Sequence, residues 1–160
     1  MYCGWGDWNQ AETYYQQALD LAKAEKDQGL IAGLQGQLGD IERKRGNWDA
    51  AEQLYRQSLE LRTELGDRSG IASTWGLLGD IEQYRGNWDA AERLYRQSLE
   101  LRTELGDRWS VGVSNEGLAL LARDRNNLEL ARQHYTIARD IYIQLGAVKA
   151  IEILDSNFDF

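Results

Sequence analysis

Residues 46–68 read GNWDAAEQLYRQSLELRTELGDR, and residues 86–108 repeat them with one change, Gln53 to Arg93, at an offset of 86 − 46 = 40. This duplication constrains the fold more than composition does, because both copies must find a compatible local structure. Degenerate copies flank the pair: Gly6-Asp7-Trp8 opens one 40 residues before Gly46, and Asn126-Asn127-Leu128 opens another 40 residues after Gly86. Units this small cannot bury an apolar face alone, so they must stack on their neighbours as an array with an extended surface. The expected organisation is a single array over 1–160. It comprises a partial repeat at 1–27, hairpin repeats at 28–67, 68–107 and 108–146, and a C-terminal capping helix at 147–156.

Within each unit the apolar residues recur at three- and four-residue steps. Trp48, Ala51, Leu54, Tyr55, Ser58, Leu59 and Leu61 form one such stripe, and Ile71, Trp75, Leu78 and Ile81 form another. That period belongs to amphipathic helices, and proline is absent throughout. Gly86 stands where a left-handed helix terminus favours glycine, with Asn87 or Asp89 placed to cap the next helix. Gly66 and Gly106 supply the stop after the second helix, followed by Asp67 and Asp107 as caps. Each unit thus reads as an antiparallel helical hairpin. Glu52, Arg56 and Glu60, and likewise Glu92, Arg96 and Glu100, stand four residues apart as solvated ion-pair faces.

The formal net charge of −8 argues against a phosphate-backbone footprint and against anionic lipid surfaces, so neither nucleic acid nor membrane is an expected partner. Cys3 is the only cysteine, which precludes an intramolecular disulfide, and no Asn-x-Ser/Thr acceptor occurs. Met1-Tyr2-Cys3-Gly4-Trp5-Gly6-Asp7 lacks the basic and apolar regions of a signal peptide. A cytoplasmic location is expected.

Trp75-Gly76-Leu77-Leu78-Gly79, then Gly86-Asn87-Trp88, Ala91, Tyr95 and Ser98-Leu99, follow the W-x-x-L-G, aromatic, A, F/Y, A-L order of tetratricopeptide repeats, and the chain resembles that family along essentially its whole length. Gly79 and Ala91 would let paired helices approach, while Trp75, Trp88 and Tyr95 fill the wedge between hairpins. Glu82 stands where an aromatic is usual, and Thr103 where proline is usual, so the second helix continues to about Glu104. With the Leu-Gly-Asp-Arg turn, the pattern resembles the 40-residue variety of Pins-type polarity adaptors and bacterial multidomain signalling proteins. The resemblance implies an all-α, right-handed superhelical solenoid, and scaffolding, not catalysis.

At the N-terminus the helix expected from about Trp8 has no helix before it in its hairpin, which would leave Tyr14, Tyr15, Ala18 and Leu19 uncovered. Self-association through this helix, and a chain cut from a longer array, both follow from that. At the other end Val148, Ile151 and Leu154 suggest a short capping helix, with Asn157-Phe158-Asp159-Phe160 frayed or an aromatic contact.

The resemblance also places groove-lining positions on the first helices. These are Gly36, Asp40, Arg43 and Lys44 in one unit, Gly76, Asp80, Gln83 and Tyr84 in the next, and Glu116, Leu120, Arg123 and Asp124 in the last. Helices packed at roughly 8–10 Å would set Asp40 beside Asp80, giving an acidic ridge suited to a basic or polar extended peptide. Pairing of both aspartates with arginines of the array is the alternative. Asn is frequent at these positions in peptide-binding relatives and donates as well as accepts, whereas ionised Asp only accepts. Gly36 and Gly76 either open space for a ligand or serve close helix packing; the Lys and Asn that hold a terminal carboxylate in the chaperone-tail subgroup are missing, so acidic chaperone tails are not expected.

Catalytic signals are weak. His134 reads as a packing or surface residue, and with one Cys and one His a zinc site is not expected. Gly33-x-x-Gly36-x-x-Gly39 falls inside a helix without the Lys-Ser/Thr ending of a phosphate loop, and Ser114 is out of register with a nucleophile elbow. Trp109, matched by Ser69 and Lys149 in neighbouring units, is a candidate exposed anchor. The chain is therefore expected to be a non-enzymatic protein-interaction scaffold without cofactors, binding an extended peptide or a partner helix. The alternatives are a structural or self-associating segment of a larger multidomain protein, and a small-ligand sensor.

Overall fold

Among the described residues eight helices follow one another: α1 (Trp5–Glu25), α2 (Gln28–Lys44), α3 (Trp48–Leu65), α4 (Arg68–Tyr84), α5 (Trp88–Glu104), α6 (Arg108–Asp124), α7 (Leu128–Gln144) and α8 (Val148–Ser156). The computed structural model describes residues 5–158, with side chains described from residue 8 onward. Cys3 with the rest of Met1–Gly4, and the tail residues Asp159 and Phe160, lie outside the described residues. No strand occurs among the described residues, and the fold is that of an α solenoid of helical hairpins. None of the helices among the described residues is long and apolar enough to cross a membrane.

The helix ends follow from local chemistry. Gly46, Gly66, Gly86, Gly106 and Gly146 adopt φ between +67° and +81°, a region that side chains with a Cβ disfavour. Asp27, Asp67 and Asp107 accept from the backbone N–H groups of Leu30, Gly70 and Ser110 at 2.9, 2.9 and 3.1 Å. The bonds from Ser110 hold the Asp107 carboxyl below the usual carboxylate range. Asn87 does not cap α5 with its side chain, contrary to expectation. Its Nδ2 donates instead to Glu82 Oε2 at 2.8 Å, as Asn47 donates to Glu42 at 2.7 Å. A charged acceptor five residues back outcompetes the cap. Where Ala122 replaces that glutamate, Asn127 does cap, accepting from Leu130 N at 3.2 Å.

The chain divides into two compact units, Met1–Thr74 and Trp75–Phe160, with the division inside α4. In the first, Leu19, Ala22, Ile31, Leu34 and Leu38 form the core, with Tyr15, Ala18, Leu54 and Leu61 packed against it. Tyr15, Ala18 and Leu19 are thus covered, and among the described side chains of α1 the large apolar ones left exposed are Tyr14 and Leu21. In the second unit Ala91, Tyr95, Leu118 and Leu121 form one cluster, and Ala119, Ala122, Ala131, Ala138, Tyr142, Leu154 and Phe158 another. Phe158 is buried against Tyr135, their ring centroids 5.2 Å apart, so this part of the tail is packed and not frayed. Of the capping helix only Leu154 is fully buried; Val148 stays exposed.

Tyrosines fill the space between paired helices. Tyr55 and Tyr95 are 0% and 4% exposed, and each lies against a glycine. A Cβ on Gly39 would stand 2.6 Å from Tyr55 Cε1, and one on Gly79 2.9 Å from Tyr95. Trp75, expected in the core, is only half-buried. It lines an open cavity of about 220 Å³ with Gln97, Glu100, Leu101 and Glu104.

Two glycines of α2 should therefore respond oppositely to alanine. Gly39→Ala forces the Tyr55 ring to move and should lose about 1–3 kcal/mol. Gly33, with nothing within 4 Å of its added Cβ, should gain up to about 1 kcal/mol from helix propensity. Urea unfolding followed by circular dichroism measures both, and equal responses would mean that the Tyr55 contact is wrongly placed.

Candidate functional site

On α2 and α4 the sequence Gly-Asp places an acid one residue after the glycine that seats a tyrosine. The ring that packs on the glycine consequently carries its hydroxyl to the aspartate. Tyr55 donates to Asp40 Oδ1 at 2.6 Å in the first unit. In the second, the Tyr95 hydroxyl lies 2.7 Å from Asp80 Oδ1 and 2.8 Å from Gln83 Oε1, its one proton shared between them. In the last hairpin Ala119-Leu120 replaces Gly-Asp, and the pairing moves along α6. Tyr142 packs on Gly112 and donates to Glu116 Oε2 at 3.0 Å.

Burial, reinforced by the adjoining carboxylates, pushes the Tyr55, Tyr95 and Tyr142 hydroxyls well above the usual tyrosine range. They therefore stay protonated, and each holds its carboxylate as an oriented acceptor. Asp40 lies 3.8 Å from Arg43, a longer contact than its bond to Tyr55. The alternative of arginine pairing thus holds for Asp40 only as the weaker of its two contacts.

The remaining candidates of the first unit serve different surroundings. Lys44 Nζ sits 4.1 Å from the Trp8 ring centroid, a cation–π contact. Gly36 is not required for close packing, since its added Cβ would meet only Ser58 Oγ at 3.9 Å and Arg62 Nη2 at 4.0 Å. Gly76 repeats this with Ser98 Oγ and Arg102 Nη2, both at 3.8 Å.

In the second unit several candidates join one polar chain. Gln83 Nε2 donates to Asp124 Oδ2 at 2.8 Å, and Arg123 Nη2 donates to Asp124 Oδ1 at 3.0 Å. Arg123 also donates through Nη1 to the Asn157 carbonyl at 2.8 Å. Asp80, Gln83, Asp124 and Arg123 are thereby linked through Tyr95, with Tyr84 64% exposed. Leu120 instead packs against the α7–α8 core. Trp109 is 48% exposed, with its ring 5.2 Å from that of Tyr142, so it is half anchored and half accessible.

Sequence reasoning missed the orienting role of the tyrosines. Its signal was present: Asp40 to Tyr55 and Asp80 to Tyr95 share one 15-residue spacing. From sequence Tyr95 reads as filler alone, because nothing local shows where a ring's far end will reach.

The fold is similar to that in the crystal structure of BtubC (BKLC) from P. vanneervenii, with a TM-score of 0.77 and 19% sequence identity. The match covers 89% of this chain and 59% of that one, and at this identity it shows the fold alone. No curated protein matches the chain. The tetratricopeptide repeat model matches residues 1–64, 30–104 and 70–144, and with its helical hairpins and their glycine-seated tyrosines the chain belongs to the tetratricopeptide repeat family.

Proposed function

We propose that the chain is a non-enzymatic interaction scaffold that binds a basic or polar extended peptide through the first helices of its hairpins. Tetratricopeptide repeats generally mediate protein–protein interaction. The observation that carries the finer reading is the tyrosine-held acid: Asp80 is exposed, yet a buried hydroxyl fixes its oxygen at 2.7 Å. An acceptor oriented before binding loses less freedom when a donor arrives, which favours affinity. Asp80, Gln83, Tyr84, Glu116 and Arg123, with Gly76 leaving room, are the contact residues of the second unit; Gly36, Asp40, Arg43 and Lys44 are those of the first. Leu120 contributes apolar surface. The 40-residue register allies this reading with the Pins-type resemblance, and a cytoplasmic setting accords with it.

A displayed library of random decapeptides panned against the purified chain tests the proposal. Enrichment of Lys- and Arg-containing sequences is expected, and Asp40→Lys with Asp80→Lys should abolish their binding while helical content stays unchanged. Tyr95→Phe, which removes only the orienting hydroxyl, should weaken binding by about threefold to tenfold, the value of one hydrogen bond. Acidic enriched sequences, or affinity unmoved by the double lysine variant, would sink the acidic-site model.

A second reading, a self-associating structural segment, draws on Tyr14 and Leu21, which are 69% and 61% exposed and lie seven residues apart on one side of α1. Light scattering after size separation distinguishes the two. A constant mass near 18.3 kDa supports the peptide scaffold, whereas growth with concentration that Leu21→Ser abolishes supports self-association.

A further inference from the structure

In the second unit α5, α6 and α7 enclose a cavity of about 340 Å³. Leu118, Leu121 and Ala122 of α6 and Leu130 of α7 supply its apolar lining, and Glu92, Arg96, Arg125, Asn127 and His134 its polar one. The volume lies at the lower end of the range for small-molecule sites. Its origin can be read from the repeat. Positions 42, 82 and 122 are equivalent at the 40-residue offset, and they hold Glu, Glu and Ala.

The glutamates do the same work in both earlier hairpins. Glu42 accepts from Arg45 at 2.9 Å and from Asn47 at 2.7 Å. Glu82 accepts from Arg85 at 3.3 Å and from Asn87 at 2.8 Å. In the last hairpin the donors persist as Arg125 and Asn127, while the acceptor between them has been truncated to a methyl group. Arg125 keeps only the outer contacts, to Glu92 at 3.0 Å and Asp89 at 3.2 Å. Their counterparts are the bonds of Arg45 to Glu12 and Asn9, both at 2.7 Å. Arg45 therefore has an inner and an outer carboxylate, and Arg125 has the outer ones.

Arg96 and Arg125, the counterparts of Arg56 and Arg85, remain where the carboxylate was lost. Arg96 and Arg125 share Glu92, Arg96 at 2.8 Å and Arg125 at 3.0 Å. A guanidinium offers five N–H donors, more than this sharing uses. His134 adds a ring where the preceding repeat has Leu94, and its Nδ1 is tied to Asn115 Oδ1 at 2.9 Å. Asn115 is 3% exposed and donates its Nδ2 to the Val111 carbonyl, so its Oδ1 accepts from Nδ1–H and fixes the ring. The site thus gathers two guanidinium groups around one lining carboxylate, on a chain of net charge −8.

We propose that this cavity binds a carboxylate borne on a short alkyl stem. The carboxylate takes the place of the Glu42 and Glu82 carboxylates, accepting from Arg125 and Asn127, and Arg96 supplies further charge. The alkyl stem lies on Leu118, Leu121 and Leu130 where the glutamate methylenes would run. Two sources share this chemistry: a free short-chain carboxylic acid, and a glutamate side chain of a partner protein. This site is separate from the acidic residues proposed to bind basic peptides, and its ligand has the opposite charge.

Titration of the full chain with isovalerate, followed by NMR of the arginine Nε–H and histidine ring resonances, tests it. Saturable shifts at Arg96, Arg125 and His134 are expected, with none for the neutral isovaleramide. Ala122→Glu should weaken binding by about tenfold or more, because it restores the internal acceptor. That variant has its own precedent in the two repeats where glutamate is accommodated, and Arg96→Gln, a half-exposed site, provides a second route to the same loss. A blocked hexapeptide with one Glu, against its Gln counterpart, tells the sources apart. Saturation by the peptide with indifference to isovalerate assigns a partner side chain, and the converse assigns a free acid. No saturable shift with either probe, equal shifts with the amide, or binding undiminished in both variants would overturn the proposal.

Discussion

The contact between a tyrosine ring and a glycine without a side chain governs both the fold and the candidate site. At Gly39, Gly79 and Gly112 an added Cβ would come within 2.6–2.9 Å of a tyrosine ring atom. The glycine is therefore a seat, and the helix approach it permits buries a ring that would otherwise hold the hairpin open. The same geometry determines where the hydroxyl ends. Because the ring lies over the glycine, its oxygen reaches the acid that follows on the same helix, one residue on in Asp40 and Asp80 and one turn on in Glu116. Packing and acceptor orientation are thus a single interaction, and a change to either partner disturbs both.

Much of the fold is legible in the sequence because its determinants are local. The stops of α2, α3, α4, α5 and α7 are glycines at positive φ, those of α1 and α6 are Lys26 and Asn126 in the same region, and the aspartates at 67 and 107 cap as their spacing indicates. The failures share a different character. Asn87 meets every local criterion for a cap, yet a glutamate five residues earlier claims its amide. Trp75 carries the family pattern but stays partly exposed beside an open cavity, and Phe158, at the end of an unpatterned tail, is buried by Tyr135. For Asn87 and Phe158 a partner outside the cap or the tail itself decides the outcome. The candidate site is legible only as a set of positions; the hydrogen bond that joins Gln83 to Asp124 spans 41 residues and leaves no local trace.

The duplicated segments show how far context can alter identical residues. Arg62 and Arg102 occupy equivalent positions, but Arg62 pairs with Asp67 at 2.7 Å, while Arg102 donates to the Ser110 carbonyl at 3.0 Å. The difference lies outside the duplication. A Cβ on Gly70 would fall 1.7 Å from Arg62 Nη1, so the ion pair occupies space that exists only beside a glycine. Ser110 fills that space in the next repeat. The Arg102 guanidinium turns to a carbonyl and to Ser114, and burial there pushes its pKa down.

A repeat architecture also separates the residues that build the fold from those free to vary. Ala51, Ala91 and Ala131 are each fully buried at one equivalent position, whereas the nearby acid at 42 and 82 is only partly covered and becomes alanine at 122. Removing the acid leaves the hairpin contacts of Ala131 and Leu121 in place, because they do not pass through the carboxylate. The cost falls instead on the polar groups it served, and these are not silent: Asn127 turns to cap α7 and Arg125 keeps its outer acids. A buried polar substitution would ordinarily threaten stability. Here the deleted group was the acceptor at the edge of a hairpin whose core is apolar, so the array can acquire a distinct chemical surface in one repeat while the others retain the parent arrangement.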